Sequence, residues 1–195
     1  MFGFSRSHDR TDEILRRYLD RDFQCYAAHD QAPSRSQLKQ VAAKYGCKLP
    51  DDFIAHSTGL LGGIYIEVKE EVWPRAKQFD VAPFWTFLYG LHVYGLSRDI
   101  QDWMNIDLAA AEFHQQTDHS LVPCLRVMGD ADIYLFDARG SIVHWSHETN
   151  ELEPFAGGFF DLLEQEVREL RQRKDRKVAG GGQSPNPSLQ RTPPG

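Results

Sequence analysis

Five side chains that could do chemistry fall close together in this 195-residue chain: His144, His147, Glu148 and, upstream, the pair Asp130 and Asp132. With His119 or Cys124 the histidines could be combined into a metal site, since imidazole, thiolate and carboxylate are the usual ligands of zinc and its neighbours. The spacing opposes this. Three residues apart on a strand, His144 and His147 point to opposite faces, and no helical HExxH sets two imidazoles on one side. Asp130 and Asp132 share a strand face and could serve as acid and base or hold a cation. They also stand at the start of a strand, where aspartate is ordinary turn chemistry, and nothing around them would separate their pKa values. No GxSxG elbow occurs, Cys124 beside Pro123 has no nucleophile context, and Gly180-Gly181-Gly182 lacks the Lys and Ser or Thr of a phosphate-binding loop. These residues therefore predict neither a catalytic site nor a metal or cofactor site. Trp73, Trp85, Trp103 and Trp145 read chiefly as core, and any left exposed would be an anchor for a protein partner.

The elements that must position these residues are legible in segment 121–166. Leu121, Leu125 and Val127 form one apolar row. In the next strand Ile133 and Leu135 oppose Tyr134 and Phe136, so both faces should be covered, as in a central strand. Ala138-Arg139-Gly140 makes a tight turn into a strand carrying Val143 and Trp145 on one face. Another turn follows at Thr149-Asn150, and after Pro154 and Gly157-Gly158 the residues Phe159, Leu162, Leu163, Val167 and Leu170 recur at helical spacing.

Upstream, Thr11 with Asp12 and Glu13 predicts a helix start, with Ile14, Leu15, Tyr18, Leu19 and Phe23 as its apolar stripe. Ser34 and Gln37 form a capping box before Leu38, Val41, Ala42 and Tyr45, and Pro50 opens a third helix. Ile64, Ile66 and Val68 alternate with Tyr65, Glu67 and Lys69, the pattern of a half-exposed strand. Residues 84–96 read as extended chain bent at Gly90 and Gly95. Residues 99–114 read as a helix burying Trp103, Ile106, Leu108 and Phe113. The fold class that follows is α+β: a single domain with a mostly antiparallel twisted sheet, helices packed on it, N-terminal helices and a closing C-terminal helix. Its expected divisions are an N-terminal helical extension over 1–30, the α+β domain over 31–172, and a disordered tail over 173–195, basic and then rich in Gly, Pro and Ser.

Composition narrows the partners. The net charge of −6 conceals an asymmetry, for residues 165–195 carry seven Lys or Arg against three Asp or Glu, which leaves −10 on residues 1–164. An acidic globule repels phosphate backbones and attracts basic partners, so a protein partner is expected rather than nucleic acid. The basic run 168–177 is interleaved with Glu169 and Asp175 and reads as a solvated helix end, not a membrane or nucleic-acid contact. No apolar run approaches a membrane span, and the first residues lack the apolar centre of a signal peptide, so a soluble cytoplasmic protein is expected. Three cysteines without CxxC spacing fit free thiols.

With its elements in this order, the sequence resembles the SUKH superfamily, which includes the yeast cell-wall assembly regulator and many bacterial toxin-immunity proteins. Leu49-Pro50-Asp51-Asp52-Phe53 is similar to that group's Leu-Pro-x-x-aromatic helix start. Tyr89-Gly90 and Tyr94-Gly95 sit where a glycine-containing strand is usual, and Gly129-Asp130 precedes the central hairpin. The segment running from Gly140 through Trp145 and His147 to Glu148 is similar to its Gly-x-Val-x-x-Trp-x-His/Asp motif, and Phe159 to Leu163 to its last helix. The likeness covers about residues 35–170, and departs where Thr58 to Gly63 replace the group's Asn-Gly-Gly. It implies a protein-binding α+β domain without shared catalytic residues; in bacteria it implies neutralisation of a cognate toxin, commonly a nuclease. Asp130, Asp132, His144, Trp145 and Glu148 are then the expected protein-binding residues. A regulatory or scaffold protein without a toxin partner is the alternative, and a metal-dependent enzyme built on Asp130, Asp132, His144 and His147 the third reading.

Overall fold

A computed structural model describes residues 6–27, 32–76 and 84–180, apart from the side chains of residues 6–9. Helix α1 (Arg6–Tyr18) leads to strand β1 (Phe23–Tyr26), then helices α2 (Arg35–Lys44) and α3 (Asp51–Ser57), and strands β2 (Tyr65–Val68) and β3 (Gly90–Val93). Helix α4 (Ile106–Thr117) precedes β4 (Val122–Val127), β5 (Ile133–Phe136), β6 (Ile142–Trp145) and β7 (Leu152–Pro154), and α5 (Phe159–Ala179) closes the chain. The seven strands form one antiparallel sheet in the order β1-β2-β3-β4-β5-β6-β7. This is the α+β architecture with a closing helix that the sequence predicts. No helix of the described residues is long and apolar enough to cross a membrane.

Strand alternation gives the sheet two unlike faces. One carries Ile66, Val68, Leu91, Val93, Tyr134, Phe136 and Ile142 into the main core, where they meet α1, α2, α3 and α5. Phe53 of α3 lies at its centre with no exposed surface, its ring edge-on to Phe136 at 4.8 Å and to Phe159 at 5.1 Å. The other face buries a smaller cluster of Phe113 from α4 with Leu121, Leu135 and Trp145. Leu121 and Leu125, expected in one row, belong to different cores because the β4 register shifts between Pro123 and Leu125, and one extra residue reverses the alternation.

Local chemistry explains the ends of the elements. Ser34 and Gln37 cap α2 reciprocally, as predicted. Asp52, the second aspartate of the Leu-Pro-Asp-Asp-Phe segment, accepts from the Phe159 amide at 2.8 Å while Asp161 accepts from Gly158 N–H at 2.9 Å; carboxylates from two elements thus satisfy the first amides of α5. In the β5–β6 turn Gly140 takes φ 86°, and Asp137 accepts from the amides of Arg139 and Ser141, both at 2.8 Å.

Five expectations need correction. Phe23 is not the end of the first helical stripe: α1 stops at Tyr18 and Phe23 opens β1, so the edge strand was hidden inside an apparent helix. Residues 84–96 are not continuously extended, since Phe84–Phe87 is a 3-10 turn ahead of β3. Residues 99–114 split into a 3-10 turn, Asp102–Met104, and α4, whose first amides are capped by Asn105. Trp103 and Leu108, expected in the core, are 48% and 51% exposed. At the C-terminus α5 runs to Ala179, beyond the expected boundary at 173, because Lys174 is drawn inward: its ammonium meets Asp20 at 3.0 Å, Asp22 at 3.1 Å and Asp175 at 2.8 Å. The rest of the proposed tail, from 181, lies outside the described residues.

Candidate protein-docking face

The expected binding residues do not share one surface. Asp130 and Asp132 lie in the turn from β4 to β5, where Asp130 Oδ1 accepts from the Asp132 amide at 3.1 Å. Asp132 in turn accepts from the His147 amide at 2.9 Å and lies 3.9 Å from His144 Nε2, tying the β4–β5 turn to the end of β6. His144 projects to the main-core side, 4.6 Å from the Tyr134 ring, whereas Trp145 projects to the opposite side. Trp145 is only 6% exposed, and its indole N–H donates to Asn150 at 2.8 Å, so it is a core and turn-fixing residue rather than an outward anchor. Glu148 is exposed in the following turn. Among the described residues no three His, Cys, Asp or Glu side chains converge as metal ligands.

What the fold does assemble is a row across the sheet face opposite the main core. In register, Tyr26 of β1 neighbours Tyr65 of β2, Tyr65 neighbours His92 of β3, and His92 neighbours Arg126 of β4. Helix α4 sets Phe113 against Trp145, 5.1 Å away at the β6 side, and does not extend over the β1–β2 end, where Tyr26 is exposed. Tyr26 is 53% exposed and stacks on Tyr65 with centroids 6.0 Å apart. Trp103 hangs over the row from its 3-10 turn, edge-on to Tyr65 at 5.6 Å and to His92 at 4.9 Å.

A second row fixes the first. Glu67, beside Gln24 in register, accepts from Tyr65 OH at 2.6 Å and pairs with Arg75 at 2.9 Å, while the Arg75 guanidinium lies 3.6 Å above the Tyr89 ring. Burial and this carboxylate push the Tyr65 hydroxyl strongly upward in pKa, so it remains a hydrogen-bond donor with a fixed ring. An aromatic surface held in this way loses little rotamer entropy when it is covered.

Beside Trp103 lie two connected grooves. The larger, about 380 Å³, runs between α4 and the sheet past Tyr94, Glu112, Arg126 and His147; the smaller, about 330 Å³, lies over His92, Trp103, Arg126 and the backbone of the β4–β5 turn. Asp130 lines the smaller groove, so one of the expected acidic residues does border this face. The signal for the row was present in the outward positions Tyr65 and Glu67. The juxtaposition of Tyr26, Tyr65, His92 and Arg126 arises only from pairing four separate strands.

His92 is 3% exposed, and its pKa is lowered to about 3, first by burial and then by the Arg126 charge. The folded protein therefore binds fewer protons here than the unfolded chain between about pH 3 and 6.5, and stability rises with pH through that window. Between pH 6.5 and 5 the expected loss approaches 2 kcal/mol. Denaturant titrations of the wild type and of His92→Phe at both pH values check this: the substitution should flatten the slope, and equal slopes would contradict it.

Residues 32–165 match the SMI1 / KNR4 family (SUKH-1), a span that takes in α2, α3, strands β2 to β7, the 3-10 turn bearing Trp103 and the start of α5. No curated protein and no solved structure matches the chain. With the match extending over more than half of the sequence and over nearly the whole sheet, the chain belongs to the SMI1 / KNR4 family (SUKH-1).

Proposed function

We propose that this protein is a cytoplasmic binding module of the immunity type, which neutralises a cognate toxin by docking a basic domain, such as a nuclease, on the aromatic sheet face. The observation that carries the reading is the aromatic row of Tyr26, Tyr65 and Trp103, exposed at Tyr26 and Trp103, on an otherwise acidic chain. Half-exposed tyrosine and tryptophan held by neighbouring groups suit the centre of a protein interface, because they bury large area at low entropic cost. Family membership supports a protein as the partner. Asp130 then acts at the edge of that face and Asp132 and Glu148 add to the acidic field around it, where charges raise the rate of encounter more than the strength of the final complex. The reading assigns no catalytic residue.

Co-expression of the chain with toxin candidates encoded beside its gene tests the proposal. Growth rescue together with a stable complex is the expected result. Rescue without a complex, or neither with any neighbouring toxin, would contradict it.

A further inference from the structure

One unsatisfied side chain and one cation line the smaller groove. Neither ring nitrogen of His92 has a hydrogen-bond partner among the described residues, although both are shielded from solvent. Leaving such a group unmet is destabilising, so a persistent case calls for a reason. Arg126, its neighbour in register, has no carboxylate within 4.0 Å among the described residues. Its Nε donates to the Asp130 carbonyl at 2.9 Å and its side chain hydrogen-bonds Tyr94, which orients the guanidinium and leaves further N–H donors of the five it carries. A guanidinium without a carboxylate among the described residues and an unmet imidazole thus border one cavity, with the half-exposed Trp103 as its wall.

We propose that this groove receives a carboxylate side chain of the docked protein partner, held by Arg126 and His92 beneath the edge of Trp103. A neutral imidazole offers one N–H to such a group, and the guanidinium supplies the charge. A single cation set beside Asp130 and near Glu112 suits a singly charged planar anion and disfavours phosphate, whose second charge meets acidic neighbours. On a partner with a basic surface, an acidic side chain at this point fixes the register of docking, and a surface without one leaves Arg126 buried and unpaired. The assignment rests on the docking reading above, but its test needs no partner.

The full-length labelled protein is titrated with sodium acetate, sodium chloride and sodium phosphate at matched ionic strength, following the His92 imidazole and Trp103 indole resonances by NMR. Saturable shifts with acetate alone are expected, weakened at least about tenfold by Arg126→Gln, partly kept by Arg126→Lys, and unaffected by Arg98→Gln at an exposed site. Shifts that never saturate, that chloride reproduces, or that survive Arg126→Gln would overturn the site, and tighter binding of phosphate would overturn its chemistry. If Arg126→Gln fails to fold, Arg126→Lys decides: unaltered acetate binding would overturn the assignment. Absence of acetate binding would overturn the carboxylate site and leave the docking face standing. Acetate binding in a protein that docks no partner would assign the groove to a free carboxylate instead.

Discussion

Truncating Phe53 to alanine should lower folding stability by about 3–5 kcal/mol, the largest loss expected from one substitution in this chain. The ring has no exposed surface and meets Phe136 of the sheet and Phe159 of α5 edge-on, so it is the point where α3, the sheet and the closing helix are packed together. Its removal forfeits the transfer energy of a whole aromatic side chain and two ring contacts, and leaves a cavity that three elements would have to move to fill. Set against a total stability of roughly 5–15 kcal/mol for an ordinary domain, that is a large fraction. Denaturant unfolding measures it directly. Phe53→Leu should recover much of the loss, and a midpoint for Phe53→Ala within about 1 kcal/mol of the wild type would contradict this packing.

The second large effect concerns binding rather than folding. Trp103→Ala should weaken a cognate complex by about 2–4 kcal/mol, at least about 30-fold, while costing only about 1–2 kcal/mol of stability. The distinction follows from exposure: Trp103 touches Tyr65 and His92 with its edge but remains 48% accessible, so much of its surface is still to be buried. Tyr65→Phe should have a smaller effect, since it keeps the ring and loses only the hydroxyl that Glu67 holds. Surface plasmon resonance gives both rates. Loss at Trp103 should appear mainly in dissociation, whereas neutralising Glu148 should change association and its salt dependence.

How much of this was legible in the sequence depended on whether the deciding interaction was local. The capping box at Ser34 and Gln37 and the turn at Gly140 depend on residues within a few positions, and both are legible there. Strands β1 and β7 are edge strands of four and three residues, too short to show alternation, and β1 begins with a phenylalanine that also fits the stripe of α1. The β4 bulge defeated parity, because a count of alternate residues assumes an unbroken ladder. Apolar character alone places Trp103 in the core, because it marks only what can be buried. Which part of a sheet face a short helix leaves open is decided by tertiary placement. The same limit applies to the site: Asp130 and His144 are close in sequence yet belong to different sides, whereas Tyr26 and Arg126 are a hundred residues apart and share one row.

The central claim is that the aromatic face, and not the acidic turn or another apolar patch, is where a partner docks. Its most direct measurement is the dissociation constant of the cognate complex for the wild type, Trp103→Ala and Val178→Ala, the last removing an exposed apolar side chain near the end of α5. A loss of at least about 30-fold for Trp103→Ala with no change for Val178→Ala is the predicted result. A complex indifferent to Trp103, or one weakened equally by both substitutions, would contradict the account.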